Sequence, residues 1–286
     1  MKKYFLLFLL IFVVGIGAVA YRPYEPKVSV VMLTYKRGGI VSSAIESILA
    51  QTYKDFEFII INDGSLDETD DVVKEYVKND KRIRYYKNPK NMGIAYSRNR
   101  AFGLARAPYI MIMDDDDYSL KWRMEAQVKF LDENPQIDVL VGQIRGFPKV
   151  PENHNVIASH LIQHNVVGNA NIMYRRDFAK KHKIFYDEGL VISEDWDYWV
   201  KMLFNGAKFA SIDVDVLLRD PLTLKHHAKN FEDGNKIIRK KIGEYFSPRN
   251  WEEFYSANAC EKIIMIIQKG IFSEDFNKHL MEANCK

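Results

Sequence analysis

The chain has 286 residues, 47% of them hydrophobic and 28% charged; these ordinary proportions argue against disorder and allow one sizeable domain, with or without a small appended one. A net charge of +3 is too small to indicate a nucleic-acid partner. The two cysteines, Cys260 and Cys285, match no zinc-binding spacing and are too few for a disulfide framework, which disfavours a structural metal and thiol catalysis.

The N-terminus has the composition of a membrane anchor. Two lysines precede an uncharged apolar run over residues 4–20, and a bilayer core needs roughly 20 apolar residues, with about 17 as the lower limit. We therefore predict a single-pass transmembrane anchor at 1–21 and a linker at 22–27. A cleaved signal peptide is the alternative, because small residues at 18–20 resemble a cleavage site. Basic residues flank the run on both sides, so the side of the membrane that carries the folded domain stays open.

From residue 28 onward, short apolar runs alternate with longer helical patterns. Strands are predicted at 28–34, 56–61, 83–86, 109–113 and 139–142. Helices are predicted at 41–50, 67–76, 94–104 and 122–131. Continuously apolar strands separated by helices are typical of a mostly parallel sheet that is covered on both faces. The sequence therefore predicts an α/β fold.

Polar motifs follow three of these strands. They are Thr34-Tyr35, Asp63-Gly64-Ser65 and the aspartate run 114–117. In parallel sheets, ligands bind beyond the carboxyl ends of the strands, so the motifs predict one site at this edge of the sheet. Taken alone, an Asp-Gly pair is also a common turn sequence.

Four consecutive aspartates, at 114–117, come directly after a buried strand. Such a run is electrostatically unfavourable unless a cation or solvent screens it. If strand geometry persists, Asp114 and Asp116 point to the same side, and two such carboxylates suit a hard divalent cation. A solvated acidic turn is the plainer alternative.

The second half of the chain is less regular. A helix is predicted at 193–203, with Ser193 as its N-cap and acidic residues in its first turn. Residues 209–218 read as extended, and the pattern beyond His227 is helical. In the basic helix at 236–241, the isoleucines either pack into the core or place the helix on a membrane surface. Residues 230–286 form a helical C-terminal extension without a recognisable motif.

Together, the motifs between about residue 28 and residue 220 resemble family 2 glycosyltransferases, which have the GT-A fold. Each piece alone is weak, but six of them occur in the family's order. They are 28–35, 47–53, Ile61-Asn62-Asp63-Gly64-Ser65, Asn91-Met92-Gly93 with Ser97-Arg98-Asn99, 113–117 and Ser193-Glu194-Asp195.

The resemblance implies a role for each matching residue. Residues that would bind the nucleotide are Thr34, Tyr35, Asp63, Arg98, Asp114 and Asp115. Asp116 would hold a divalent cation, Mn²⁺ or Mg²⁺, on the diphosphate. Because an acidic residue stands between Asp114 and Asp116, where the family often has another type, Asp115 or Asp117 could take the metal role instead.

The same resemblance implies the groups on the acceptor side. Asp195 would be the general base, with Glu194 supporting it, and the helix dipole would keep Asp195 ionised. Both acids could also be ordinary first-turn residues. Residues that would line the sugar and acceptor site are Gly168, Asn169 and Ala170.

These assignments imply a GT-A domain at 28–229, with a nucleotide-binding half at 28–117 and an acceptor half at 118–229. The implied reaction transfers a hexose from a nucleotide-diphosphate sugar, expected to be a UDP-sugar, to a hydroxyl of a glycan or lipid-linked acceptor. It would invert the anomeric centre and use the metal. The alternatives are a nucleotidyltransferase that makes nucleotide sugars, and a non-catalytic homologue that binds glycans or nucleotides.

Overall fold

A computed structural model describes residues 25–219 and 231–246, together with isolated positions at 261, 265, 268, 269, 274 and 277. The strands are β1 (Val28–Thr34), β2 (Phe56–Asn62), β3 (Ile83–Lys87), β4 (Tyr109–Asp114), β5 (Tyr118–Ser119), β6 (Val139–Ile144), β7 (Ile172–Arg175) and β8 (Phe209–Leu218). The helices are α1 (Val41–Leu49), α2 (Thr69–Asn79), α3 (Ile94–Leu104), α4 (Arg123–Glu133), α5 (His154–Gln163), α6 (Arg176–Lys181), α7 (Glu194–Phe204) and α8 (Phe231–Phe246).

The strands form one sheet in the order β3-β2-β1-β4-β7-β6-β8-β5. β1 pairs in parallel with β2 and β4, β2 with β3, and β6 with β8. The pairs β4–β7, β6–β7 and β5–β8 are antiparallel. The α/β prediction is confirmed, but the sheet is mixed rather than mostly parallel. The short β7 causes this, because it inserts antiparallel between the two parallel parts.

Both faces of the sheet are buried, which explains why its strands are continuously apolar. In β1, Val31 belongs to one hydrophobic cluster, while Val30 and Met32 belong to the other. Helices α3, α5, α7 and α8 cover the first face, and α1, α2 and α4 cover the second. Alternate side chains of one strand therefore fill two separate cores.

The carboxyl ends of the three neighbouring strands meet at one edge of the sheet. Thr34, at the end of β1, is paired with Asn62 at the end of β2. On its other side, Leu33 is paired with Asp114 at the end of β4. The predicted convergence of the three polar motifs is thus confirmed by the register of the strands.

Three elements between residues 145 and 192 have no counterpart among the predicted ones: α5, β7 and α6. β7 has only four residues, too few for a periodic pattern to be recognised. In α5, Asn153 caps the helix by accepting a hydrogen bond from the Asn155 backbone. The helix is short, and two histidines interrupt its apolar pattern.

The predicted anchor at 1–21 and most of the C-terminal extension lie outside the described residues. Among the helices that the structure describes, none combines the length and apolar composition needed to span a bilayer. Within the extension, the helical prediction is confirmed for α8. Its Ile238 and Ile242 are fully buried, whereas Ile237 is 47% exposed, so two of the three isoleucines pack into the core.

Candidate active site

A cleft of about 670 Å³ opens at the carboxyl edge of the sheet. One wall is the end of β4, and another is the N-terminus of α7 with the loop at 164–169. Arg219 after β8 and Asn235 on α8 also line the cleft. The cleft therefore brings the aspartate run and the Glu194-Asp195 pair, 80 residues apart in sequence, to one space.

Three of the four consecutive aspartates line this cleft: Asp114, Asp116 and Asp117. Asp115 does not, and its carboxylate lies 3.7 Å from the Arg37 guanidinium. Asp114 and Asp116 thus open to the same space. Strand alternation is not the reason, because β4 ends at Asp114 and the next two residues form a turn. The position of Asp115 does not support its predicted contact with the nucleotide, because its carboxylate is buried near Arg37 and does not line the cleft.

Burial dominates the electrostatics of the cluster. It raises the pKa of Asp117 to about 7, with help from the charge of Asp114 and against that of Arg219. Behind the cluster lies Arg123, fully buried, whose guanidinium donates to the backbone carbonyls of Ile112 (2.9 Å) and Ile172 (3.1 Å). Burial also lowers the pKa of Arg123 to about 9. The local excess of buried carboxyl groups favours an added cation.

Two carboxylates of this cluster have the donor chemistry that a divalent cation prefers, although the described residues contain no group of three or more acids, histidines or cysteines arranged to hold one. Asp114 and Asp116 offer hard oxygen ligands from the same wall of the cleft, the donor type that Mn²⁺ and Mg²⁺ prefer. Asp117 Oδ2, buried beside them, makes no hydrogen bond within the described part of the chain. Its nearest cation is Arg219 Nε at 3.8 Å. An unsatisfied carboxylate oxygen in this position supports a nearby cation.

Arg98 connects the two walls of the cleft. Its guanidinium lies 2.5 Å from Glu194 Oε1 and 3.9 Å from Asp114 Oδ1, and it stacks over the Tyr186 ring at 5.1 Å. With its amide oxygen turned toward Arg98, Asn169 accepts from both terminal nitrogens at 2.7 Å. Arg98 is only 4% exposed, so its main contacts are with the protein. Direct binding of the nucleotide by Arg98 stays a prediction.

The buried Arg98–Glu194 pair is expected to stabilise the fold. Truncating one member of a buried ion pair leaves an uncompensated charge and costs about 3–5 kcal/mol. We expect Arg98→Gln to lower the free energy of unfolding by about that amount in urea titrations. As a control, Arg100→Gln changes an arginine two residues later on the same helix, which donates hydrogen bonds to the Lys87 carbonyl and the Asn88 side chain. This change should cost about 1 kcal/mol. Equal losses in the two variants would contradict the role of the pair.

Asp195 is the acid that faces the cleft without an ion-pair partner of its own among the described residues. Its Oδ2 accepts a hydrogen bond from Asn165 Nδ2 at 3.1 Å, and its Oδ1 accepts from the Trp196 backbone at 2.7 Å. Burial and the adjacent charge of Glu194 raise the pKa of Asp195 to about 7, against the effects of Arg98 and the Trp196 N–H. Desolvation and the charge of Glu194 therefore oppose the helix dipole, and the ionised state of Asp195 stays a prediction.

Ser193 stands at the N-cap position of α7 as predicted, but it does not cap the helix. Its backbone is left-handed, with φ of 60°, and its side chain makes no hydrogen bond to the first turn. The hydroxyl lies instead 3.1 Å from Asn235 Oδ1 on α8. A left-handed non-glycine residue costs of order 1–3 kcal/mol, and such residues cluster at functional sites.

Several predicted site residues lie away from the cleft. Asp63 is buried and accepts from the backbone N–H groups of Met92 and Gly93, both at 2.9 Å, so it fixes the entry to α3. Thr34 lies at the end of β1, and Tyr35 beside it is 38% exposed. Ala170 is fully buried in the core below the cleft, so its predicted lining role is wrong. Gly168 and Asn169 do line the cleft.

Sequence reasoning missed several polar residues in or behind the site. Among them are Asn165, Arg219 and Asn235, which line the cleft, and Arg123, which lies behind the aspartates. Asn165 and Asn235 reach the cleft through the packing of a loop and a late helix, for which the sequence gives no local pattern. Arg123 offered the only signal: a charged residue on the buried face of a predicted helix.

The sequence model of glycosyl transferase family 2 matches residues 29–191, more than half of the chain. An uncharacterized glycosyltransferase of Methanocaldococcus jannaschii is 33% identical over 239 residues, covering 78% of this chain and 78% of that protein. The match to the family includes the aspartate run. It ends just before Glu194 and Asp195.

Two solved structures share the fold. S. aureus TarS 1-349 in complex with UDP-GlcNAc has a TM-score of 0.63 at 22% identity, covering 76% of this chain and 65% of that one. The mannosyltransferase PcManGT of Pyrobaculum calidifontis, in complex with GDP-Man and Mn²⁺, has a TM-score of 0.59 at 15% identity, covering 79% and 64%. This chain thus spans less than two thirds of either solved chain, and at these identities the likeness concerns the fold.

Proposed function

This chain belongs to glycosyl transferase family 2, and we propose that it transfers a hexosyl group from a nucleotide-diphosphate sugar to a hydroxyl of a glycan or lipid-linked acceptor. We expect a UDP-sugar as donor and inversion at the anomeric carbon. The observation that carries the proposal is the shared cleft, which both Asp116 and Asp195 line. The transfer needs groups of these two kinds in one space: a cation ligand for the leaving diphosphate and a base for the attacking hydroxyl.

Asp195 is the proposed general base. A carboxylate within hydrogen-bond reach of the acceptor hydroxyl can take its proton as the oxygen attacks the anomeric carbon. Glu194 is held by Arg98 at 2.5 Å, which leaves Asp195 as the acid available to the acceptor. Asn165 holds one oxygen of Asp195 and so orients the carboxylate.

Asp116 is the proposed metal ligand, with Asp114 beside it. When bound, a divalent cation supplies Lewis-acid stabilisation of the charge that builds on the leaving diphosphate. Arg37, whose Nη2 lies 3.4 Å from Asp116 Oδ2, limits the repulsion between the neighbouring carboxylates. Thr34, Tyr35 and Asp63 are proposed to bind the nucleotide at the carboxyl ends of β1 and β2, as in other open α/β sheets.

The first experiment is a panel of UDP- and GDP-sugars incubated with the full-length chain in detergent, with and without Mn²⁺. We expect metal-dependent release of nucleoside diphosphate from one donor. In a parallel reaction with UTP or GTP and a sugar 1-phosphate, release of pyrophosphate would instead identify a nucleotidyltransferase. Calorimetric binding of UDP without release from any donor would identify a non-catalytic homologue.

The pH dependence of the reaction should follow Asp195. Its pKa is raised to about 7 in the folded chain, and only its deprotonated form can accept a proton. We therefore expect kcat/KM to fall about tenfold per pH unit below pH 7 and to level off near pH 8. The measurement is kcat/KM from about pH 5.5 to pH 9 at constant ionic strength. A profile that stays flat down to pH 5.5 would contradict a base with this pKa.

The membrane association also stays a proposal. Residues 1–21 would anchor the chain, and residues 28–229 would form the transferase domain. A lipid-linked or polymeric acceptor at a membrane is compatible with that arrangement. Flotation of the full-length chain with vesicles, compared with a form beginning at residue 22, tests it.

A further inference from the structure

Asn235 joins the cleft from outside the segment that the family model covers. It lies on α8, whose Ile238 and Ile242 are fully buried in the core. A charged contact also holds the helix in place, because Lys241 Nζ lies 2.9 Å from Asp197 Oδ1 on α7. The C-terminal extension therefore contributes to a wall of the cleft, and among its described residues Asn235 lines the cleft.

The side-chain amide of Asn235 has two polar ends, an oxygen and an NH₂ group. One end lies 3.1 Å from the Ser193 hydroxyl. Within the described part of the chain, the other end makes no hydrogen bond. Ser193 makes this contact with a left-handed backbone, and its side chain does not cap α7. The amide is thus oriented at one end and open at the other, on the surface of the cleft.

The open end lies on the acceptor side of the cleft. Ser193, whose hydroxyl contacts the amide, is two residues before Asp195, and both lie at the N-terminus of α7. Asn235 contacts this N-terminus through Ser193. Val191 also lines this part of the cleft and is 86% exposed. An exposed apolar side chain beside an oriented amide suits a sugar ring, which offers both apolar C–H surface and hydroxyl groups.

We propose that Asn235 is an acceptor-binding residue that forms a hydrogen bond with an acceptor hydroxyl next to the one that reacts at Asp195. The inference rests on the proposed function and extends it, since it makes α8 a determinant of acceptor choice. Loss of one such hydrogen bond between neutral groups should raise the KM for the acceptor about five- to tenfold.

The test separates acceptor binding from the chemistry at Asp195. The full-length chain in detergent is assayed with Mn²⁺ and its preferred donor, first with water as the acceptor and then with a panel of methyl glycosides. We expect Asn235→Ala to raise the KM for the methyl glycoside by a larger factor than any change in the UDP affinity or in the rate of donor hydrolysis by water. Lys236→Ala, on the exposed neighbouring position, is the control and should match the wild type.

Two results would overturn the inference alone. One is an unchanged KM for the methyl glycoside in Asn235→Ala. The other is an equal fall in hydrolysis and in transfer, because Asn235 would then act through Ser193 on Asp195 and not on the acceptor. A wild-type chain that releases no nucleoside diphosphate from any donor would contradict the proposed function, and this inference with it.

Discussion

Asp195→Asn is expected to lower kcat by about 10²- to 10⁴-fold, the usual contribution of a positioned general base. The amide has the shape of the carboxylate but cannot take a proton from the acceptor hydroxyl. The variant should also lose the fall in kcat/KM below pH 7, because the group whose pKa is raised to about 7 is gone. Initial rates of nucleoside diphosphate release across the pH range measure both effects.

Folding should survive the Asp195→Asn change. The folded-state pKa of Asp195 is raised above its ordinary value of 3.8 to about 7, so stability falls as the pH rises between these values and the loss is complete above pH 7. Removing that charge is expected to leave the melting temperature at pH 8 unchanged or higher. The matched control is Glu188→Gln, an equal change of charge at an exposed residue that binds Asn99, and it should keep full activity. Full transfer activity in Asp195→Asn would remove the base assignment.

Much of the first half of the fold could be predicted from the sequence, because its strands are buried on both faces. β1 was predicted at 28–34 and lies at Val28–Thr34, since its apolar run over residues 30–33 ends at a polar residue. The insertion of β7 between β4 and β6 could not be predicted. It depends on pairing such as Met111 with Met173, between residues far apart in sequence, which no local pattern specifies.

The residues of the candidate site also fall into those that could be predicted from the sequence and those that could not. Asp114, Asp116 and Asp195 could be predicted because they directly follow a strand or begin a helix, where local geometry places a side chain at the sheet edge. Asn165 and Asn235 could not, since their positions depend on how a loop and α8 pack against α7. The raised pKa of Asp195 also follows from burial, which tertiary packing decides.

Asp116→Ala is expected to lower kcat/KM by about 10²- to 10³-fold, because loss of metal stabilisation of the leaving group removes several kcal/mol of transition-state stabilisation. The wild-type chain should lose activity in EDTA and regain it with Mn²⁺. In the variant, added Mn²⁺ should have little effect. Calorimetry of UDP binding with and without Mn²⁺ gives a second readout, in which only the wild type should bind more tightly with metal.

The neighbouring aspartates make the Asp116 assignment specific. Asp115 lies buried toward Arg37, so Asp115→Asn should keep its response to Mn²⁺. Asp71→Ala, at an exposed position on α2, controls for the loss of one negative charge. If Asp116→Ala kept the Mn²⁺ response and Asp117→Ala lost it, the metal ligand would lie one residue further along the run. The orphaned oxygen of Asp117 would then be its ligand atom, and the assignment of the metal role to Asp116 would be wrong.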